Sequence, residues 1–228
     1  MRPVSLFAHR CMVSRSTTLT LGSAALLYLV MTAVLVAVPA SAEEEAAWDV
    51  NKPAYGVAPT PVEIDVTEGT WMSLDVSPDG KYIAFDFLGD IYQIPLAGGD
   101  ARALTSGHAW DMQPRFSPDG KALAFTSDRA GGDNIWVMEL AGGELRQVTH
   151  EQFRLLNNPA WSPDGEYIAA RKHFTTSRSL GTGEIWLYHA GGGEQQQGQP
   201  VVERPNESFQ KEQGEPIFAP DGSAIWRI

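Results

Sequence analysis

Four histidines follow residue 42, at His108, His150, His173 and His189, and each stands alone in the sequence. A hydrolytic zinc centre gathers neutral imidazoles and carboxylates around one ion, commonly from a short H-x-H or H-E-x-x-H element. Neither pattern occurs, and neither does G-x-S-x-G, the strained turn that exposes a serine nucleophile. Ser179-Leu180-Gly181 is no substitute for it. No residue is therefore assigned a catalytic, cofactor-binding or metal-binding role. What remains is binding chemistry on loops. The stretch from His173 to Gly183 carries Arg178 and several hydroxyls, and reads as a loop between two strands. Loops on a rigid scaffold are where binding groups gather. The alternative is a solvated loop or a contact with a companion domain. His108, Trp110 and Asp111 read as a connection between repeats that could line a ring's mouth, and burial preferences favour Trp110 capping the core with the other two in water.

The element that must position these groups is written four times. "VSPDGKYIAF" begins at Val76, "FSPDGKALAF" at Phe116, "WSPDGEYIAA" at Trp161 and "FAPDGSAIWR" at Phe218. Their prolines, Pro78, Pro118, Pro163 and Pro220, lie 40, 45 and 57 residues apart. In each phrase proline presets the φ of a type I turn and the next glycine can take a positive φ, which is hairpin chemistry. After the second turn, Leu123 and Phe125 alternate with Ala122 and Ala124, so both faces of the strand are apolar. Ile135 to Leu140 does the same, and Ala141-Gly142-Gly143 turns the chain into a last strand near Val148. Strands apolar on both sides belong to a sheet covered on both sides.

A period near 40 with this content predicts an all-β fold, a partial β-propeller of four-stranded antiparallel blades, with three blades plus the start of a fourth. A β-sandwich or a solenoid also uses short strands and tight turns but does not demand the repeat. Trp136, Trp161 and Trp186 recur at strand positions and are expected to pack between blades. Val62 to Thr67 alternates strictly before the first full blade, so it is expected to be an outer strand of a closing blade and an orphan in this chain. Three blades cannot close a ring, which leads us to expect the front part of a longer protein.

Residues 1–42 read as an export signal: Arg2, Arg10 and Arg15, an uncharged stretch from Leu19 to Val38, and Ala40-Ser41-Ala42 as a cleavage site. The stretch approaches the length that spans a bilayer, so an uncleaved membrane anchor is the alternative. Residues 43–61 read as a linker, and 62–228 as the incomplete propeller. Cys11, the single cysteine, lies within the signal, so disulfides and cysteine metal sites are excluded from the mature chain. The formal charge of −11 falls by three more once the signal arginines are removed, and so acidic a chain repels nucleic acid.

The run S-P-D-G-K-x-[IL]-A-F, with Ser127-Asp128-Arg129-Ala130-Gly131 and Ile135 to Met138, resembles the propeller repeats of TolB over roughly Met72 to Ile228. A narrower resemblance rests on "AWDVNKPAYG" from Ala47, "LTSGHAWDMQPRFSPDG" from Leu104, "RKHFTTSRSLGTGEIWLYH" from Arg171 and "ERPNESFQKEQGEPIFAPDG" from Glu203. These look like the start of exported multidomain amidohydrolases, in which a TolB-like propeller precedes a metal-dependent barrel. That resemblance implies C–N bond hydrolysis by the full-length protein, with a divalent metal such as zinc only in a C-terminal domain beyond Ile228 and no cofactor in this segment. The propeller would be a scaffold or substrate-access domain. Its implied partner is that hydrolase domain or another periplasmic protein, with a membrane involved only if the signal stays uncleaved. Two other readings stay open: a TolB-like periplasmic interaction module, and the propeller of a prolyl oligopeptidase-type serine peptidase.

Overall fold

The computed structural model describes residues 49–50, 52, 60, 62–152, 155–175, 181–193, 197–203, 206 and 214–227. Residues 1–42, read above as an export signal, most of residues 43–61, read as a linker, and Arg178 lie outside the described residues. Among the described residues fourteen strands form three four-stranded antiparallel sheets and one two-stranded sheet, as the repeat predicts. The first blade contains β1 (Leu74–Val76), β2 (Tyr82–Phe87), β3 (Asp90–Pro95) and β4 (Arg102–Ala103). The second contains β5 (Asp111–Phe116), β6 (Ala122–Ser127), β7 (Asn134–Glu139) and β8 (Leu145–Gln147). The third contains β9 (Leu156–Trp161), β10 (Tyr167–Thr175), β11 (Gly181–His189) and β12 (Gln199–Val202). β13 (Pro216–Phe218) and β14 (Ile225–Arg227) form the two-stranded sheet of the fourth repeat. The segment from Val62 to Thr67 forms no strand, and Val62, Ile64 and Val66 are exposed, as expected of an orphan.

The Ser-Pro-Asp-Gly phrase builds the same turn each time. In the second copy Ser117 N–H donates to Ala122 O at 2.8 Å, Gly120 N–H donates to Ser117 O at 2.9 Å, and Gly120 takes a φ of 69°. The serine hydroxyl is the hub: it donates to Asp119 Oδ1 at 2.7 Å and accepts from Ala122 N–H at 3.0 Å. Asp119 in turn accepts from Lys121 N–H at 3.1 Å. The same bonds hold Asp79 and Asp164, and the Ser77 hydroxyl is the main reason the Asp79 carboxyl is drawn down to about 2. In the fourth copy Ala219 replaces the serine, and Asp221 accepts from Ser223 instead.

Turns also stack between blades. A Cβ built on Gly120 would meet Pro78 Cδ at 3.5 Å, and one on Gly165 would meet Pro118 Cδ at 3.8 Å. Proline thus sits over the next blade's glycine, at ordinary van der Waals distance.

Blade faces explain the doubly apolar strands. All six residues of β6 are buried. Leu123, Phe125 and Met138 cluster with Ala84 and Ile91 of the first blade, while Ala122, Ala124 and Val137 cluster with Leu156, Ile168 and Tyr188 of the third. Large residues on one face and small ones on the other let each blade accept its neighbour's bulk. Trp136, Trp161 and Trp186 pack against these clusters, as expected.

Ser117→Ala strips the buried Ala122 N–H of a partner and is expected to destabilise by about 1–3 kcal/mol. Gly120→Ala has room for its methyl, so its expected loss of about 1–2 kcal/mol comes from the left-handed backbone alone. The urea midpoint, read at constant slope, measures both; a neutral Gly120→Ala would contradict the left-handed turn.

Candidate functional site

Of the residues singled out in sequence, His108, Asp111 and His173 lie toward the end of the blades opposite the Ser-Pro-Asp-Gly turns, where β2–β3 and β6–β7 reverse and the first strand of each blade begins. Asp111 does not sit in a connection in water, as expected, but is the first residue of β5 and is 1% exposed. Arg129 explains the burial. Its Nη2 donates to Asp111 Oδ1 at 2.7 Å and Oδ2 at 2.6 Å, and its Nε donates to Ser127 Oγ at 2.9 Å. The guanidinium lies 5.4 Å from the Phe125 ring centroid and 5.2 Å from that of Trp136, so the cation is held by carboxylate and aromatic faces together. Trp110 covers Gly89 of the first blade and remains 54% exposed, so it is a lid on a hairpin tip rather than a cap on the core. His108 is exposed.

A hydroxyl device recurs beside this pair. Thr105 Oγ1 accepts from Ile91 N–H, and Thr149 Oγ1 accepts from Ile135 N–H, each at 2.9 Å. In the second blade Thr149 donates to Asn134 Oδ1, whose amide nitrogen donates to the carbonyls of Gly132 and Glu151. The matching residue in the first blade is Asp90. Burial and the Asp111 charge raise its pKa, and its buried Oδ1 has no hydrogen-bond partner. A carboxylate stands there where the neighbouring blade uses an amide.

His173 is a strand residue rather than part of a loop: β10 and β11 continue past it, with His173 paired to Gly183 and the ladder running on to Thr175 and Gly181. Its Nε2 lies 3.0 Å from Asn157 Oδ1, which also accepts from Arg171 Nε at 3.1 Å. The amide oxygen requires the His173 proton on Nε2. Lys172, also buried, donates to Glu151 Oε1 at 2.6 Å and lies 3.9 Å from the Trp186 ring centroid. Glu151 further accepts from the Tyr188 hydroxyl at 3.4 Å, and burial together with that carboxylate raises the Tyr188 pKa. These charges join the end of the second blade to the third. Among the described residues no three of His, Cys, Asp and Glu gather as a metal site.

A cleft of about 560 Å³ opens at the other end, between the turns of the second and third blades, with Lys121, Arg146, Trp161 and Asp164 in its wall. Arg146 donates to Ala190 O, Asp164 is held by Ser162, and Trp161 Nε1 donates to Arg115 O at 3.0 Å. Its polar groups serve turns and neighbouring backbone. Sequence reasoning passed over Arg129 and the two threonines as functional candidates. The Ser127-Asp128-Arg129 phrase and the Leu104-Thr105 and Val148-Thr149 pairs after each outer strand were the signals available.

Asp90→Asn tests the carboxylate. Because the folded pKa is raised above the unfolded value of 3.8, ionised Asp90 opposes folding, and the penalty grows as pH rises from there through the folded pKa. The variant is expected to be more stable at neutral pH by up to about 1 kcal/mol after solvent screening, and indistinguishable from the parent below that range. Arg129→Met, which leaves Asp111 buried without its partner, is expected to destabilise by about 3–5 kcal/mol in the same urea titrations.

Comparison with known proteins places the blades. Residues 75–197 match the Tricorn protease N-terminal beta propeller domain. An uncharacterized peptidase of Bacillus subtilis, YuxL, is 34% identical over 119 residues, 47% of this chain and 17% of its own length. Tricorn protease homolog 1 of Streptomyces coelicolor is 33% identical over 92 residues, 40% of this chain and 9% of its own length. The chain thus spans a small part of these curated relatives. Among solved structures, TolB from Acinetobacter baumannii superposes with a TM-score of 0.52 at 26% identity, covering 70% of this chain and 37% of that one. A putative TolB from Agrobacterium tumefaciens shares the fold, with a TM-score of 0.51 at 22% identity over 68% of this chain and 52% of its own. Among the described residues no helix is long and apolar enough to cross a membrane. With more than half of its 228 residues matched, the chain belongs to the family of the Tricorn protease N-terminal β-propeller domain and is built from TolB-like blades.

Proposed function

We propose that this chain is the non-catalytic propeller part of a larger exported hydrolase, where it serves as scaffold or governs access of substrate to a companion domain. The observation that carries the reading is the pairing of a propeller match with relatives named as peptidases, of which the matched region is only 17% and 9%. The blades fit that division of labour. Asp111 is engaged by Arg129 within the second blade and Lys172 by Glu151 between the second and third, so these buried charges serve the fold instead of activating water or a nucleophile. Residues 1–42 supply the export signal of this reading.

A peptidase-type companion carries its serine on a G-x-S-x-G turn. The irregular stretches around Ala47 and His173 favour a second companion, a metal-dependent amidohydrolase domain holding zinc or a similar ion. The likeness to TolB favours a third arrangement, a protein-interaction module with no enzyme attached.

The full-length gene product, purified and incubated with a fluorophosphonate probe and an aminoacyl chromogenic amide, separates the three. Covalent labelling with amide hydrolysis is the expected result. Hydrolysis without labelling, abolished by a chelator and restored by zinc, moves the companion to the amidohydrolase type. Neither labelling nor hydrolysis overturns the hydrolase reading in favour of the interaction module.

A further inference from the structure

Four large apolar side chains stand in water at the hairpin mouth of the first two blades. Trp71 is 102% exposed, Leu88 62%, Trp110 54% and Met72 38%. They come from three segments held against one another. Ser73 N–H donates to Asp86 Oδ1 at 2.8 Å, which lays the approach to β1 along the end of β2. A Cβ on Gly69 would meet Met72 Sδ at 2.8 Å and Phe87 Cε2 at 3.0 Å, and one on Gly89 would meet Trp110 Cε3 at 3.1 Å. Asp111 N–H, next to Trp110, donates to Gly89 O at 2.8 Å.

Two of these tips are held at a conformational penalty. Trp71 has a φ of 61° and Leu88 one of 54°, the left-handed region that bulky residues avoid. Leu88 and Gly89 form the two-residue connection between β2 and β3, where both residues need positive φ and Asn-Gly is the easy choice. Gln113 and Asn158, the other two non-glycine residues with positive φ among the described residues, make hydrogen bonds between blades that account for theirs. Among the described residues no hydrogen bond between blades accounts for Trp71 or Leu88 in this way, and strain of this kind marks places where a side chain is held for use.

The rim is acidic. Glu68 is exposed three residues before Trp71, Asp128 accepts from Trp110 N–H at 2.8 Å, Asp133 lies within reach of the Asp128 charge, and Asp90 within reach of that of Asp111. Arg129 is engaged by Asp111, and Arg115 Nη1, which reaches Ser73 Oγ at 3.4 Å, is held by Pro114 O at 2.8 Å. Crowding raises the pKa of Asp133 through burial and Asp128, and that of Asp90 through burial and Asp111. Such a field repels anionic lipid and nucleic acid and attracts cations.

We infer that this mouth is a docking surface for a polypeptide segment presenting an aromatic or aliphatic side chain flanked by Lys or Arg. The apolar side chain lies among Trp71, Leu88 and Trp110, and the flanking cations meet Glu68, Asp128 and Asp133. The inference is independent of which hydrolase, if any, accompanies the blades.

The test is fluorescence anisotropy of the 228-residue chain with a fluorescein-labelled Lys-Lys-Trp-Lys-Lys peptide, against Lys-Lys-Ala-Lys-Lys and Glu-Glu-Trp-Glu-Glu. The first should bind about tenfold or more tighter than either comparator, and binding should weaken several-fold in about 0.5 M NaCl. The double variant Trp71→Gly, Leu88→Gly removes both apolar tips and relieves both positive φ values, so it should lose about tenfold or more in affinity with its melting midpoint unchanged or raised. Trp71→Ala, at a fully exposed position, repeats the test should the double variant not fold. Equal binding of the Trp and Ala peptides, undiminished binding by the variants, or no binding of the first peptide at about 1 mM each overturns the inference.

Discussion

Some backbone amides of the inner strands cannot be satisfied within their own blade, and the architecture follows from that constraint. At Gln113 the chain turns left-handed and the register between β5 and β6 slips, so the Gln113 N–H leaves the ladder. It donates at 2.6 Å to Asp86 Oδ2 of the preceding blade. One blade on, Asn158 repeats the left-handed turn, and its N–H donates at 2.8 Å to Gln113 Oε1. Phe116 N–H likewise reaches Asp75 Oδ2 at 2.7 Å. A buried amide without a partner is destabilising by an amount comparable to a lost hydrogen bond, so a lone blade would leave these groups unmatched at its core. Apolar faces make blades adhere, but these amides set how far each slides along the next.

The two ends of a blade answer to different demands. At the Ser-Pro-Asp-Gly end the turn closes on itself through Ser117 and Asp119, then stacks proline on glycine, and nothing there is strained beyond what glycine tolerates. Opposite, the connections differ from blade to blade: a two-residue tip at Leu88-Gly89, a longer turn through Arg129, and the extended ladder beyond His173. Asp111, Lys172 and Glu184 are buried at or near this end. Buried ion pairs are weak stabilisers but select one geometry, since a misplaced blade would leave an unpaired charge. Repeated chemistry thus fixes the fold at one end, while varied chemistry at the other distinguishes the blades and offers surfaces to partners.

That division also governed what the sequence revealed. The turns, the strand alternation and the burial of both faces of β6 were legible because each rests on local residues at fixed spacing: Pro118 for φ, Gly120 for the left-handed step, Leu123 and Phe125 against Ala122 and Ala124. The orphan character of Val62 to Thr67 followed from counting strands. The site residues were less legible. Asp111 looked like a loop residue in water because its partner Arg129 lies eighteen residues away across a strand pair, a distance that no periodicity reports. His173 looked like the start of a loop because Gly181 and Gly183 are poor strand formers, and only the pairing of β10 with β11 carries them. Arg178 lies outside the described residues.

The amide relay also bears on how one blade specifies the next. Each step couples an acceptor side chain to a backbone donor one repeat later: Asp86 to Gln113, then Gln113 to Asn158. A carboxylate begins the series, and it serves two donors, since Asp86 Oδ1 also takes Ser73 N–H. Amides continue it, because Gln113 must accept from Asn158 and Thr126 without bringing a second charge into a partly buried seam. Asn158 Oδ1 is then the next acceptor in line; it is buried and has no hydrogen-bond partner. Glu215, three residues before Phe218 as Asn158 is three before Trp161, holds the matching donor position in the fourth repeat. Over these two steps the relay has a direction, in which the first and second blades each present the acceptor that positions their successor. Swapping Gln113 for a residue of equal size without an acceptor would disturb the third blade's placement more than the second's own pairing.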